Sequence, residues 1–266
     1  MVNRLVFFFC LFSIQPLFAQ HSPNNAVSLS LGGASATYLN AFAIENNVGA
    51  LAFSPSEIAL NGANYFGLSD YSAVRLAAVS SIEKASIGVS YQALPLATLT
   101  MHKAQLAFAK KLTEQVSAGV AINYHSFVSN NAYYQNGKAF TFNIGIFYKV
   151  NEDLEMGFQA FNPNQSVLSS QQKESIPSSY RLGIKHVLSS NIDSYIDAFQ
   201  RSGQDLDLNA GIELTANQLK VRGGFGLNQL VAMGIGWEHN QFTLDACGAY
   251  HNQLGFSPSI NLQYAL

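Results

Sequence analysis

Few residues in this chain are placed to do chemistry, and their spacing argues against it. Asp193 and Asp197 fall on one face of an alternating stretch, so a strand would hold their carboxylates about 13 Å apart. A glycosidase pair needs roughly 5–10 Å. The six histidines, His21, His102, His125, His186, His239 and His251, are scattered. They form no His-Glu-x-x-His pair and no cluster with cysteine, so no metal is expected. Gly32-Gly33 and Gly223-Gly224-Phe225-Gly226 lack the lysine of a phosphate loop and read as turn and strand glycines. No strand-turn-helix nucleophile elbow is present, so a Ser-His-Asp site would have to be assembled in space. Cys247 shares a face with Asp245 and reads as a small packing residue rather than a reactive thiol. No catalytic residue and no cofactor is expected, and the reading is of a protein that is not an enzyme.

The remaining ionisable groups are ordered by period. Val231, Met233, Ile235 and Trp237 alternate with Ala232, Gly234, Gly236 and Glu238. Phe140, Phe142, Ile144, Ile146 and Tyr148 alternate with Thr141, Asn143, Gly145, Phe147 and Lys149. A period of two places one set on each face of a strand. Fourteen such stretches can be marked: 58–69, 72–81, 84–93, 102–111, 115–128, 138–150, 153–161, 177–188, 191–201, 205–216, 218–227, 230–239, 241–251 and 258–266. Most reach the 9–11 residues that a tilted strand needs to cross a bilayer, and an even count suits a closed bacterial barrel. In lipid the apolar set must face outward, because a charge at mid-bilayer costs about 2–4 kcal/mol.

The other face then lines a lumen. It carries Arg75, Glu155, Arg181, Lys185, Asp193, Asp197, Asp207, Glu213, Lys220, Arg222, Glu238 and Asp245. Both signs occur, so these groups are expected to pair with one another and hold the interior together rather than line a charged path. Glycines recur on the same face, among them Gly119, Gly145, Gly157, Gly183, Gly211 and Gly224. Strand glycines mark the close approach of another segment.

Composition agrees. Charged residues make up 11% of the chain and aromatics 12%, against about 25% charged in ordinary soluble domains. Mean hydropathy is +0.10, yet no run after residue 20 is long and apolar enough for a membrane helix. A barrel hides its hydrophobicity at alternate positions. A soluble two-sheet sandwich would need a second sheet over rows such as Phe140, Phe142, Ile144 and Ile146. Net charge is −2, which gives no case for a nucleic-acid partner. Short connections such as Ile82-Glu83-Lys84 and His239-Asn240-Gln241 alternate with longer ones, Leu94–Met101, Ser129–Gly137, Asn162–Ile176 and Asn252–Pro258. That asymmetry suits tight turns in the periplasm and long loops outside.

Three regions follow. Residues 1–19, with Arg4 ahead of the apolar Leu5 to Ile14 and Ala19 as cleavage residue, read as a signal peptide. Residues 20–57 read as a plug, and 58–266 as the barrel. The plug does not alternate. It holds a glycine turn at Gly32-Gly33 and expected short helices near 40–45 and 49–52, with Asn47 or Ser54 as caps. The fold expected is all-β: a 14-stranded antiparallel transmembrane β-barrel with an N-terminal, partly helical plug.

The pattern Leu31-Gly32-Gly33-Ala34, then an Asn, then Asn47-x-x-x-Leu51 resembles the N-terminal signature of FadL-like outer-membrane barrels. It is most similar to the Bacteroidota branch that holds the PorV-like and PorQ-like proteins of type IX secretion. Tyr65-Phe66-Gly67-Leu68, Ala107 to Leu112 with Ser117 to Val120, Phe161-Asn162-Pro163 and Leu254 to Pro258 resemble that branch's later motifs in order. The chain departs from the branch at Asn47-Val48, where the branch often carries Asn-Pro. The resemblance implies a bacterial outer-membrane location, outer-membrane lipid as partner, and admission or capture of small hydrophobic molecules past the plug. Tyr38, Leu39, Asn40, Phe42, Ile44 and Asn47 would then face the ligand, with Tyr133, Tyr134 and Phe256 on the loops. The alternative it implies is a PorV-like surface scaffold or shuttle that binds exported proteins in type IX secretion.

Overall fold

The computed structural model describes residues 25–96, 99–129, 136–167, 175–227 and 230–266. The signal-peptide region and Tyr133 and Tyr134 lie outside them. Fourteen strands form one closed antiparallel barrel. They are β1 (Glu57–Asn64), β2 (Ser72–Ile82), β3 (Ala85–Leu96), β4 (Leu99–Lys111), β5 (Val116–Ser129), β6 (Gly137–Lys149) and β7 (Leu154–Phe161). The second half continues with β8 (Ser179–Ser189), β9 (Ile192–Arg201), β10 (Asp207–Ala216), β11 (Leu219–Gly226), β12 (Leu230–His239), β13 (Phe242–His251) and β14 (Gly255–Ala265). Each strand pairs with its sequence neighbours, and β1 pairs with β14 to close the ring.

The two faces fall as the period requires. Val231, Met233, Ile235 and Trp237 point outward and are bare, Met233 at 70% exposure, whereas Ala232 between them is buried. Ile58, Leu60, Leu76, Val89, Leu106 and Ile122 continue the bare apolar surface round the barrel. A surface of that extent is stable only when lipid covers it. Outward aromatic pairs mark both margins. Trp237 stacks on His239 at 5.3 Å and Phe242 meets Tyr264 at 5.0 Å near the short turns. Tyr91 with His102 and Tyr124 with Phe140 sit toward the other end. Such amphipathic rings favour the two lipid–water interfaces.

Among the short turns are two-residue hairpins: Asn217-Gln218 joins Ala216 to Leu219, and Asn240-Gln241 joins His239 to Phe242. Asn217 and Asn240 each take φ 53°, a conformation asparagine tolerates better than most residues. Two expected long loops are in fact tight. β3 runs on to Leu96 and β4 starts at Leu99, so Leu94–Met101 is mostly hairpin. Likewise β14 starts at Gly255, so Asn252–Pro258 is a short turn followed by strand. Pro95 and Pro258 look like breakers in sequence, but each lies beyond the point where one neighbour stops pairing. β2 ends its ladder on β3 at Ala93, and β1 ends its ladder on β14 at Ser259. A proline is tolerated where its missing N–H has no partner to bond. β1 also stops at Asn64 instead of running to 69, because Phe66 and Gly67 turn through positive φ.

The interior is filled by residues 25–54. They form α1 (Ala26–Ser30), α2 (Ala43–Asn46) and a 3-10 helix (Val48–Phe53), nearly all buried. The sequence carries no period for α1, which is too short to show one. It forms because Asn25 caps it, accepting from the Val27 and Ser28 N–H groups, and because its apolar side rests on the wall. Ser54 does not start a helix as expected. It closes the 3-10 helix, its N–H donating to Ala50 and Leu51. The main apolar clusters are plug against wall. Phe42, Ile44, Val48 and Leu51 pack on Ala59, Ala77, Ala107, Ala109, Ala121 and Phe147. Ala26 and Leu29 pack on Leu230, Ala232, Cys247 and Ala249.

Candidate functional site

The site is the plug and the lumen wall that grips it. Residues 25–36 trace the wall backward. Ala26 N–H donates to Asn261 on β14 at 3.0 Å, and Ser30 lies against Gly234 on β12. Leu31 and Gly32 press on Gly211 and Gly224 of β10 and β11. Ser35 and Ala36 N–H both donate to the Asp197 carboxylate on β9, at 2.7 and 2.9 Å. Arg181 on β8 donates to the Gly33 carbonyl at 2.7 Å and pairs with Asp197 at 3.1 Å.

The chain then crosses the lumen. The Tyr38 hydroxyl donates to Glu213 and accepts from Arg222, both at 3.1 Å. Burial, with the Glu213 carboxylate beside it, pushes the Tyr38 phenol well above its ordinary value, so it stays a neutral donor. Ala41 N–H donates to Glu57 on β1. A second arc follows. Gln159 on β7 accepts from Val48 N–H at 2.8 Å and donates to the Glu45 carbonyl at 2.7 Å. Asn47 donates to Ile146 on β6, and Ser117 on β5 donates to the Gly49 carbonyl. Leu51 touches Gly88 on β3, and Ser81 on β2 donates to the Ser54 carbonyl. At the short-turn end Phe53 closes the lumen, with the Lys111 and Lys149 ammoniums 4.6 and 4.5 Å from its ring centre.

The lumen charges project inward and most meet an opposite charge. Arg222 bridges Glu213 at 2.5 Å and Asp245 at 2.7 Å. Lys220 meets Glu238 at 2.5 Å, and Lys185 meets Asp193 at 2.9 Å. Arg75 donates to Asn61 and Tyr65 and lies 3.8 Å from Glu45 of the plug. Glu155 sits between Lys149 and Lys185 in the ladders, and Asp207 is buried on β10.

Of the plug positions singled out from sequence, Phe42 and Ile44 are seated in the alanine-faced wall. Asn40 is buried, Asn47 bridges Ala36 and Ile146, and Tyr38 and Leu39 keep partial exposure. Phe256 is outward-facing and 55% exposed. It belongs to the lipid face, because β14 already alternates there. Asn47 caps the 3-10 helix through Gly49 N–H at 3.1 Å and ties the two arcs together. Asn47→Ala is therefore expected to cost about 1–2 kcal/mol, read as a lower urea midpoint; an unchanged midpoint would show the cap to be dispensable.

Sequence reasoning missed the lining on the long-loop side of β1–β7. There Leu94, Phe127 and Phe161 join Met101, with Lys103 5.5 Å above the Phe161 ring and His125 edge-on to it at 6.1 Å. Its signal was available: these residues continue the inward parity of Gln105 and Asn123. Leu94 and Met101 fall in an expected loop because Pro95 reads as a strand end, whereas Phe127 and Phe161 lie in expected strands but carry no charge to single them out.

A closed barrel of fourteen strands whose N-terminal segment fills the lumen has the fold of FadL-type outer-membrane transporters. The CymD monoaromatic hydrocarbon channel superposes with a TM-score of 0.73 over 91% of this chain and 97% of that one, at 13% identity. The Pseudomonas putida toluene transporter TodX gives 0.68 over 90% and 96%, at 12% identity. A Pseudomonas aeruginosa FadL homologue gives 0.65 over 91% and 98%, also at 12%. No protein-family model and no curated protein matches the sequence. At these identities it is the fold that is shared, and nothing among these neighbours points to the secretion-associated branch.

Proposed function

We propose that this chain is an outer-membrane barrel that admits or captures small hydrophobic molecules. One observation carries the reading: above a plug whose core is apolar, the lumen wall changes from hydrogen-bonded amides to Leu94, Met101, Phe127 and Phe161. An apolar solute would gain by leaving water there, whereas a polar one would trade water for Lys103 and His125, which already face the Phe161 ring. The neighbours support it, since they are described as channels or transporters for toluene and monoaromatic hydrocarbons. Glu45 and Asn46, the partly exposed plug residues on the side of Arg75, are the ones a molecule entering from the long-loop end meets; Asn40, Phe42, Ile44 and Asn47 hold the floor, and Tyr38 and Leu39 lie on its short-turn side with Glu213 and Phe53.

The test is uptake of toluene by vesicles carrying the full chain. Uptake should exceed that of empty vesicles, and Phe161→Ser should slow it several-fold while leaving the unfolding free energy in urea within about 1 kcal/mol of the parent. Toluene uptake no faster than into empty vesicles would overturn the proposal.

A further inference from the structure

The plug is bound to the wall differently from a stopper in a neck. Between Asn25 and Glu57 it touches all fourteen strands. Contacts run from β14 to β7 along 25–36, and from β7 to β1 along 41–57. Its backbone lies in a groove made by wall glycines. Gly119 faces Gly145, Gly157 faces Gly183, and Gly211 faces Gly224 across their ladders. A Cβ on Gly145 would come within 2.6 Å of Gly49 N, and one on Gly211 within 2.7 Å of Leu31 Cα. The groove thus has no room for any other residue, and without the plug it would be an unfilled trench.

The two strands that close the ring are the farthest apart in sequence. Asn61 on β1 donates to Asn261 on β14, 200 residues away. Such a contact is the last to be favoured when a chain must first lose the entropy of closing the loop. Here the plug removes part of that separation. It leads directly into β1 at one end, and at the other its α1 sits on β12 to β14, with Ala26 bonded to the same Asn261 that meets Asn61.

We infer that residues 25–56 are the internal template for barrel closure: they dock on the later strands before β1 and β14 pair, and so bring the two edges together. This is a role in assembly, independent of what the barrel admits.

Folding and unfolding rates of the full chain into lipid vesicles test it, followed by the heat-sensitive gel mobility of the closed barrel. The variants are Leu31→Ala and Val27→Ala, whose side chains are buried against the wall. If the plug docks first, more than half of the loss in log stability appears as slower folding; Leu31→Ala folds at least about fivefold more slowly. If more than half appears as faster unfolding, docking follows closure and the template is overturned. Should Leu31→Ala fail to fold, the milder Val27→Ala decides by the same ratio. Gly223→Ala, on the outward face with nothing within 4 Å of its new Cβ, should fold at the parent rate.

Discussion

Replacing Arg222 with leucine is expected to lower the stability of the barrel by about 3–5 kcal/mol, because it leaves buried carboxylates without their counter-charge. Arg222 bridges Glu213 and Asp245 and also donates to Tyr38. Among the described residues, its loss leaves Glu213 the Tyr38 hydroxyl and Asp245 the Gln263 amide, 2.7 Å away, as hydrogen-bond donors. The measurement is a urea titration in vesicles followed by the fluorescence of Trp237, the single tryptophan of the chain. Replacing Glu213, Arg222 and Asp245 together by residues of similar volume and no charge should recover most of the loss, since an absent cluster strands no charge. A change below about 1 kcal/mol for Arg222→Leu would show that water reaches the cluster freely.

The second large effect is on the opposite face. Ile235 stands at the middle of β12, outward and half exposed. Ile235→Arg should cost about 2–4 kcal/mol in a bilayer. The same change at the exposed turn residue Gln218 should cost almost nothing. Full stability of Ile235→Arg in vesicles would mean that this face touches something other than acyl chains, and the transmembrane reading would fall with it.

The barrel was legible because alternation is a local signal. Each outward row, such as Val231 to Trp237, announces its face without reference to any partner. The inward charges were legible for the same reason, although which acid meets which base was not. That depends on register, and register joins residues such as Arg222 and Asp245, which sit on β11 and β13 with β12 between them. The plug was legible only as a break in the pattern. Its α1 has no period, and its hold on the wall comes from backbone groups, such as the N–H of Ser35 and Ala36 on Asp197, which leave no trace in side-chain identity. Two strand ends are misread at prolines. Pro95 and Pro258 stop a strand that is paired on both sides, and the sequence does not say that one side has already ended.

The glycine groove also acts as a ruler. Because residues 25–57 reach from the last strand to the first along the inside of the ring, their contour length and the circumference must match. Duplicating one hairpin would widen the ring by two strand spacings, about 10 Å of perimeter, and the inner segment would no longer span it. Barrels of this design are thereby kept from growing by simple hairpin duplication, since perimeter and filling would have to lengthen in the same step.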